Sequence, residues 1–331
     1  MKGLSTGKIR GLQQLADDNG LLVMLAVDHR DSLKRALNPK SPEAVSYQDM
    51  VDFKLDLCRT VGPVASGILL DPVYGAAQAI AASALPGHAG LLVSMEETGY
   101  TGEKTQRITT ILPGWNVKKA KRLGASAVKL LLYYRPDLKD IAAKQRDLVA
   151  KLADQCNEED IPLLVEPVSY PVEDVGMSAK KFADMKPDLV IETARQLTTL
   201  PFDVLKAEFP ADLNYESDDR KLLQLCQQLN EASQLPWVLL SAGVDFDKFK
   251  KQVELACKAG ASGFLAGRAL WQEAPEIPSR EERYKFMAST SAQRLRQLTG
   301  IAAAYGTPWF AKLGIKKGEF EPVDEKWYKT Y

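Results

Sequence analysis

Eight short apolar runs punctuate the chain: LLVMLAV (21–27), ASGILL (65–70), GLLVSM (90–95), SAVKLLLYY (126–134), IPLLVE (161–166), FDVLKAE (202–208), WVLLSAG (237–243) and SGFLAG (262–267). Their length suits strands, and their lack of polar alternation suits strands covered on both faces. Between them lie longer stretches with apolar residues three and four apart, such as KQRDLVAKLADQC and RKLLQLCQQLN, which predict amphipathic helices. SPEAVSYQDMVDFKLDLCRTV predicts another helix, with Ser41 as N-cap and Pro42 at the first helical position. FDKFKKQVELACKAG is expected to stop at Gly260. GASAVKLLL and GASGFLAGR each join a helix-ending glycine to a buried strand, the mark of a repeated helix-to-strand unit.

Eight strands alternating with helices over about 250 residues predict an α/β fold, a parallel (β/α)8 TIM barrel. A doubly wound open sheet is the competitor, but no GxGxxG follows the first strand. The barrel domain is expected over 1–274 and a C-terminal helical and coil extension over 275–331. In that extension Ser279 and Glu282 form a capping-box pattern. The coil beyond carries Trp309, Phe310, Trp327 and Tyr328, which are expected to pack on the barrel or on a neighbouring subunit of a homo-oligomer.

The chain has 331 residues, 45% of them hydrophobic, enough for a barrel-sized core. Its 43 Lys and Arg balance 43 Asp and Glu, which leaves no electrostatic case for nucleic acid or an anionic membrane as partner. The first twenty residues hold no apolar signal core, and LLVMLAV is too short to span a bilayer, so a soluble cytoplasmic protein is expected. Cys58, Cys156, Cys226 and Cys257 are widely spaced without a CxxC pair and read as small buried hydrophobes in a reducing compartment. Only two histidines, His29 and His88, are present, too few for an imidazole-ligated zinc site, and no Walker or EF-hand pattern occurs. Chemistry without a metal or cofactor is therefore expected.

Within the apolar runs stand charges that a buried strand would not carry for packing alone. On period two, Val204, Lys206 and Glu208 share one face, with Leu205 and Ala207 on the other; Lys129 shares a face with Leu131 and Tyr133. Glu166 closes the fifth run and Asp28 follows the first. One such residue ordinarily marks an exposed edge or a shifted boundary. Four in four different strands predict two lysines and two or three carboxylates converging at the carboxyl ends of a barrel, where the chemistry of this fold sits. The plainer alternative is a buried Lys–Glu pair that only fixes packing. The sharper one makes Lys206 a nucleophile. An amine must be neutral to attack, and an apolar strand with a second cation nearby, for which Lys129 is the candidate, favours that form. The amine would form an imine with a ketone, and Glu166 or Glu208 would move the protons.

Phosphate recognition has its own candidates. LLSAG ends the seventh run and LAGRALW the eighth, the two loops where barrels often bind phosphate. Ser241 can donate a hydroxyl, Gly243 and Gly267 admit backbone amides to the oxygens, and Arg268 adds a forked cation. VDHRDSLKR (27–35) sets a carboxylate and basic residues after the first strand; its plain reading is a solvated loop.

With these residues in view, the chain resembles the tagatose 1,6-bisphosphate aldolase family, class I (Schiff-base) aldolases on a (β/α)8 barrel. The likeness runs from about residue 10 to about 272 through LAVDHR..LKR, LLDPVYG (69–75), EETGY (96–100), AVKLLLYY, LLVEP, DVLKAEFP, LSAGV and GRALW. It implies that Lys206 forms the Schiff base, that Glu166 is the main proton-transfer carboxylate, and that Lys129 and Asp28 lie near the sugar hydroxyls and imine. It implies that Ser241, Gly243, Gly267 and Arg268 hold the phosphate of the half that becomes dihydroxyacetone phosphate, with Arg30 as a further anion contact. The expected reaction is reversible cleavage of a ketose 1,6-bisphosphate to dihydroxyacetone phosphate and glyceraldehyde 3-phosphate. His29 stands where the family has Gln, Pro167 stands where it has an aliphatic residue, and 170–179 is distinct. These positions bear on the second anionic end, so a related branch that cleaves a sulfonated ketose phosphate, sulfofructose phosphate, stays open. Two rivals lack imine chemistry: a barrel that binds a sugar phosphate without turnover, and a phosphate-binding isomerase.

Overall fold

The computed structural model describes residues 4–172, 177–319, 325–329 and 331. Eight parallel strands close on themselves in sequence order: β1 (Leu22–Ala26), β2 (Gly67–Leu70), β3 (Gly90–Ser94), β4 (Ala127–Tyr133), β5 (Leu163–Val168), β6 (Val204–Ala207), β7 (Trp237–Leu240) and β8 (Gly263–Ala266). The ring is sealed where Leu22–Leu25 of β1 lie against Gly263–Ala266 of β8. The expected (β/α)8 barrel is thus the fold, seven strands fall within their apolar runs while β5 continues two residues past Glu166 to Val168, and the open-sheet alternative is excluded.

The helices are α1 (Thr6–Leu15), α2 (Asp31–Leu37), α3 (Tyr47–Thr60), α4 (Ala76–Ala81), α5 (Val117–Leu123), α6 (Lys139–Glu158), α7 (Ala179–Leu197), α8 (Asp219–Ala232), α9 (Phe246–Lys258), α10 (Arg268–Trp271), α11 (Arg280–Phe286) and α12 (Ala292–Tyr305). The expected start of α3 was displaced. Pro42–Ala44 is a separate 3₁₀ turn, and Ser41 makes no side-chain cap. The α-helix starts five residues later because Ser46 and Asp49 form a reciprocal capping box that satisfies its first amides. At the end of α9, Gly260 takes the positive φ of +113° that lets the chain turn back into β8.

Period two divides the buried side chains into two cores. Leu22, Met24, Ala26, Leu69, Leu92, Ala127, Leu164, Val204, Val238 and Leu265 fill the barrel lumen, while residues of opposite phase, such as Val23, Leu25, Leu91, Val93, Val128 and Leu205, pack outward against the helices. The lumen is plugged from below by Leu12 and Leu15 of α1 and by Trp309 and Phe310. Lys8 latches α1 in place by donating to both oxygens of Asp203 at 3.0 and 2.9 Å, and Asp203 also accepts from the Leu163 amide. An apolar plug below and an apolar lumen wall leave the upper end as the place where polar side chains can meet.

Beyond the barrel, Ser279 caps α11, and a π turn over Met287–Ser291 carries it into α12, which packs on α9. Arg280 forks onto Asp56 of α3 at 2.9 and 3.0 Å. Of the aromatics expected to pack on the barrel, Trp309 and Phe310 do so; Trp327 and Tyr328 are exposed. The four cysteines are free and buried.

Candidate active site

The lumen phase that is apolar below turns charged one step higher on five strands. Asp28 continues Met24 and Ala26; Glu96 continues Leu92 and Ser94; Lys129 follows Ala127; Glu166 follows Leu164; Lys206 follows Val204. Register explains their convergence. Ser94 pairs with Lys129, and Leu131 with Glu166, so neighbouring lumen residues rise around the barrel like a staircase.

The charges form one connected cluster. Lys129 Nζ lies 2.8 Å from Asp28 Oδ2, 2.7 Å from Glu96 Oε1 and 2.8 Å from Glu166 Oε2. The other oxygen of Glu166 lies 2.7 Å from Lys206 Nζ. Glu166 therefore bridges two amines, and both lysines are almost wholly buried. Burial pushes the Asp28 carboxyl up, but the Lys129 and Lys206 ammonium groups outweigh it and hold the group below its ordinary value. The same contest is won by the same two lysines at Glu166, which is also held low. Burial works against the charged form of Lys129, yet Asp28, Glu166 and Glu96 hold its pKa well above the usual lysine range. Lys129 is thus a fixed cation whose charge three carboxylates share. The two carboxylates that the sequence left as alternatives separate here: Glu208 turns to the Ser169 amide at 2.7 Å and to Lys186 at 3.7 Å, leaving Glu166 on the Lys206 amine.

Glu96 escaped the sequence reading. It lies two residues past the end of β3, and its other oxygen accepts from the Leu131 amide at 3.0 Å. The lumen phase of Leu92 and Ser94 was the signal that could have found it.

At the side of the cavity formed by β7 and β8, Ser241 Oγ accepts from the Gly267 amide at 3.3 Å, and Arg268 follows at the start of α10. Both glycines are close approaches. A Cβ on Gly243, whose φ is +74°, would stand 2.9 Å from Arg268 Cζ, and one on Gly267 would stand 2.7 Å from His29 Cε1. Gly243 therefore backs the Arg268 guanidinium, whereas Ser241, Gly267 and Arg268 line the cavity. Arg30 reaches across the opposite rim, donating to the Glu96 carbonyl at 2.6 Å and lying 3.7 Å from Glu97. The cavity measures about 600 Å³ and is lined by Asp28, Arg30, Lys129, Glu166, Lys206 and Arg268, among others. Its wall between β3 and α5 is a pair of antiparallel bridges, Glu96 to Ile111 and Thr101 to Ile108. The Arg107 guanidinium there stacks between Tyr100 and Tyr170. Of the distinct segment 170–179, residues 173–176 lie outside the described residues.

A family model for DeoC/LacD family aldolases matches residues 22–273, from the first strand of the barrel to the helix that carries Arg268 and just beyond it. The chain belongs to the DeoC/LacD aldolase family. Tagatose 1,6-diphosphate aldolase 1 of Enterococcus faecalis is 36% identical over 288 residues, covering 82% of this chain and 86% of that protein. Tagatose 1,6-diphosphate aldolase 2 of Streptococcus agalactiae is 32% identical over 92% of this chain and 98% of its own. Among solved structures, fructose-bisphosphate aldolase from Plasmodium falciparum superposes with a TM-score of 0.68 at 14% identity, covering 92% of this chain and 98% of that one. An archaeal fructose-1,6-bisphosphate aldolase, with its catalytic Lys covalently bound to the carbinolamine intermediate, superposes with a TM-score of 0.55 at 20% identity over 86% and 98%. At these identities the two structures speak to the fold. Among the described residues of this aldolase, no helix is long and apolar enough to cross a membrane.

His29 adds an acid-sensitive element to the aldolase cavity. Its ring stacks edge-on against Trp271 at 5.0 Å, and burial, helped by Arg268 and Lys54 and opposed by Asp28, lowers its pKa from 6.5 to about 3. Between those values the unfolded chain takes up a proton that the folded chain refuses, so stability rises with pH through the window and falls on acidification. At pH 5 the loss from this residue is about 2 kcal/mol. The His29→Gln variant should therefore lose less stability than the wild type between pH 7 and pH 5, read from urea midpoints; parallel losses would remove His29 as the cause.

Proposed function

We propose that this aldolase cleaves a ketose 1,6-bisphosphate, tagatose 1,6-bisphosphate foremost, reversibly to dihydroxyacetone phosphate and glyceraldehyde 3-phosphate, by way of a Schiff base on Lys206. The observation that carries this reading is the buried Lys206 amine held 2.7 Å from Glu166, at the inner end of a cavity whose rim carries Ser241, Gly267 and Arg268. The relatives named tagatose 1,6-diphosphate aldolase support the substrate, and the archaeal structure with its lysine carbinolamine supports the chemistry.

In this mechanism Lys206 passes a proton to Glu166, 2.7 Å away, and attacks the C2 carbonyl as the neutral amine. Glu166 returns a proton to the carbinolamine hydroxyl, water leaves, and the iminium forms. A base removes the C4 hydroxyl proton, the C3–C4 bond breaks, and its electron pair flows into the iminium to give an enamine as glyceraldehyde 3-phosphate departs. Protonation at C3 and hydrolysis then release dihydroxyacetone phosphate and restore the amine. Glu166, reaching both amines, is the proposed proton carrier; Lys129 keeps it anionic between steps, and Asp28 stands against Lys129 to meet the sugar hydroxyls. Ser241, Gly267 and Arg268 are the proposed partners of the phosphate nearest the imine, with Gly243 behind the guanidinium, and Arg30 is proposed for the far anion. Metal independence belongs to the proposal, because the three carboxylates that could collect a cation already point at the Lys129 ammonium.

The test is turnover of tagatose 1,6-bisphosphate, fructose 1,6-bisphosphate and sulfofructose phosphate with EDTA present throughout. Fastest release of glyceraldehyde 3-phosphate from the tagatose compound, unchanged by EDTA, is the expected result. Turnover confined to the sulfonated sugar would move the substrate, and loss in EDTA would overturn the metal-free mechanism.

A further inference from the structure

Lys54, on α3, is fully buried and takes no part in the chemistry above. Its ammonium donates to the Val27 carbonyl at 2.5 Å and the His29 carbonyl at 2.7 Å, and pairs with Asp71 Oδ2 at 2.7 Å. Two of the three ammonium protons thus go to carbonyls of the turn, and the Asp71 carboxylate balances the charge. The two carbonyls stand on either side of Asp28. Holding both fixes the peptide plane between Val27 and Asp28 and the one between His29 and Arg30, the two ends of the turn, and so limits the directions open to the Asp28 side chain and steers it toward Lys129. The turn needs such a hold, because after the Val27 amide bonds to the Leu69 carbonyl at 2.8 Å the chain leaves the sheet ladder. Asp71 is itself anchored, accepting from the Val73 and Tyr74 amides at 2.9 and 2.8 Å.

We propose that Lys54 is a positioning residue for catalysis: from behind the barrel wall it clamps the 27–29 turn to α3 and to the end of β2, so that Asp28 meets the Lys129 cluster and Arg30 the cavity rim. The inference rests on the proposed reading of the site. Stability alone does not account for Lys54, since a buried ion pair gains little over an apolar pair of the same size. An apolar side chain would pack as well but could not hold two carbonyls of the turn. Arginine presents a planar fork rather than three diverging donors, so Lys54→Arg is not a conservative change here.

Removing Lys54 alone would strand the Asp71 charge, so the test pairs Lys54→Met with Asp71→Asn, which keeps the acceptor for the Val73 and Tyr74 amides. The paired variant leaves the Val27 and His29 carbonyls without this donor, so it should fold with a thermal midpoint several degrees below that of the wild type. It should still be trapped on Lys206 by borohydride with dihydroxyacetone phosphate, because Lys206 and Glu166 are untouched. Its kcat for cleavage should fall about 10²-fold, the scale expected of an ångström-sized misplacement, with a smaller change in KM. Asp71→Asn alone, which leaves Lys54 on both carbonyls, should lose less than about threefold on the same reasoning. Wild-type kcat in the paired variant, or an equal loss in Asp71→Asn alone, overturns the proposal. If the paired variant does not fold, Lys54→Gln in the Asp71→Asn background replaces it, and the same kcat criterion applies. Failure of trapping in the wild-type enzyme would instead sink the Schiff-base reading and is read separately.

Discussion

Replacing Lys206 with methionine should lower cleavage of the ketose bisphosphate by at least about 10⁴-fold, the scale of losing a covalent nucleophile, and should abolish the borohydride-stable adduct with dihydroxyacetone phosphate. The expected size follows from the role. Without an amine no iminium forms, and nothing else offered to the substrate takes up the electron pair of the breaking bond. The fold should survive, because Glu166 keeps its second oxygen 2.8 Å from Lys129, and Val204 and Leu164 in the lumen below accept an apolar neighbour. A thermal midpoint equal to or above that of the wild type is expected, so lost turnover can be read as lost chemistry. Lys129 is the competing amine, with carboxylates from the ends of three strands gathered around it. An adduct that persists in Lys206→Met and maps to Lys129 would reassign the nucleophile; unchanged turnover would remove imine chemistry from the protein.

The fold was legible because parallel barrel strands are buried on both faces and announce themselves as uninterrupted apolar runs. The charged exceptions were legible for the same reason: Lys206 and Lys129 stand out only against such runs. Two kinds of residue stayed hidden. Glu96 lies just beyond its strand, in a polar stretch where a glutamate attracts no notice, and only the barrel's register brings it to Lys129. Lys54 reads as one more polar position of an amphipathic helix, and its burial becomes visible only when α3 docks against the turn after β1. The helix starting point was misread at Ser41 because proline in the first turn is a strong local signal, yet the reciprocal Ser46–Asp49 cap satisfies more amides. Residues whose role is set by their own strand were readable; those whose role is set by what a neighbouring element brings to them were not.

Lys129→Met should be the most damaging single change to the fold within this cluster. The substitution leaves Asp28, Glu96 and Glu166, each within 2.8 Å of the lost ammonium, as three buried acids facing one another. Stripping a buried charge of its partner costs roughly 3–5 kcal/mol, which for a chain of this size corresponds to a fall in Tm of roughly 6–15 °C. The pH dependence carries the diagnosis. In the wild type, Asp28 and Glu166 are held low mainly by Lys129, so both are anions in the folded state. In the variant, burial and mutual repulsion should raise these groups above their unfolded values. A raised group favours the folded state at low pH and loses that benefit as pH rises, so the Tm deficit should be largest near pH 7 and shrink toward pH 4. Adding Glu96→Gln removes one of the stranded charges and should recover part of the Tm. It should not recover turnover, because a Glu166 that is already protonated cannot take the proton that Lys206 must lose to attack. A deficit of equal size at both pH values would mean that Lys129 supports the barrel through packing, and a double variant that regains activity would deny it any part in keeping Glu166 ready to accept a proton.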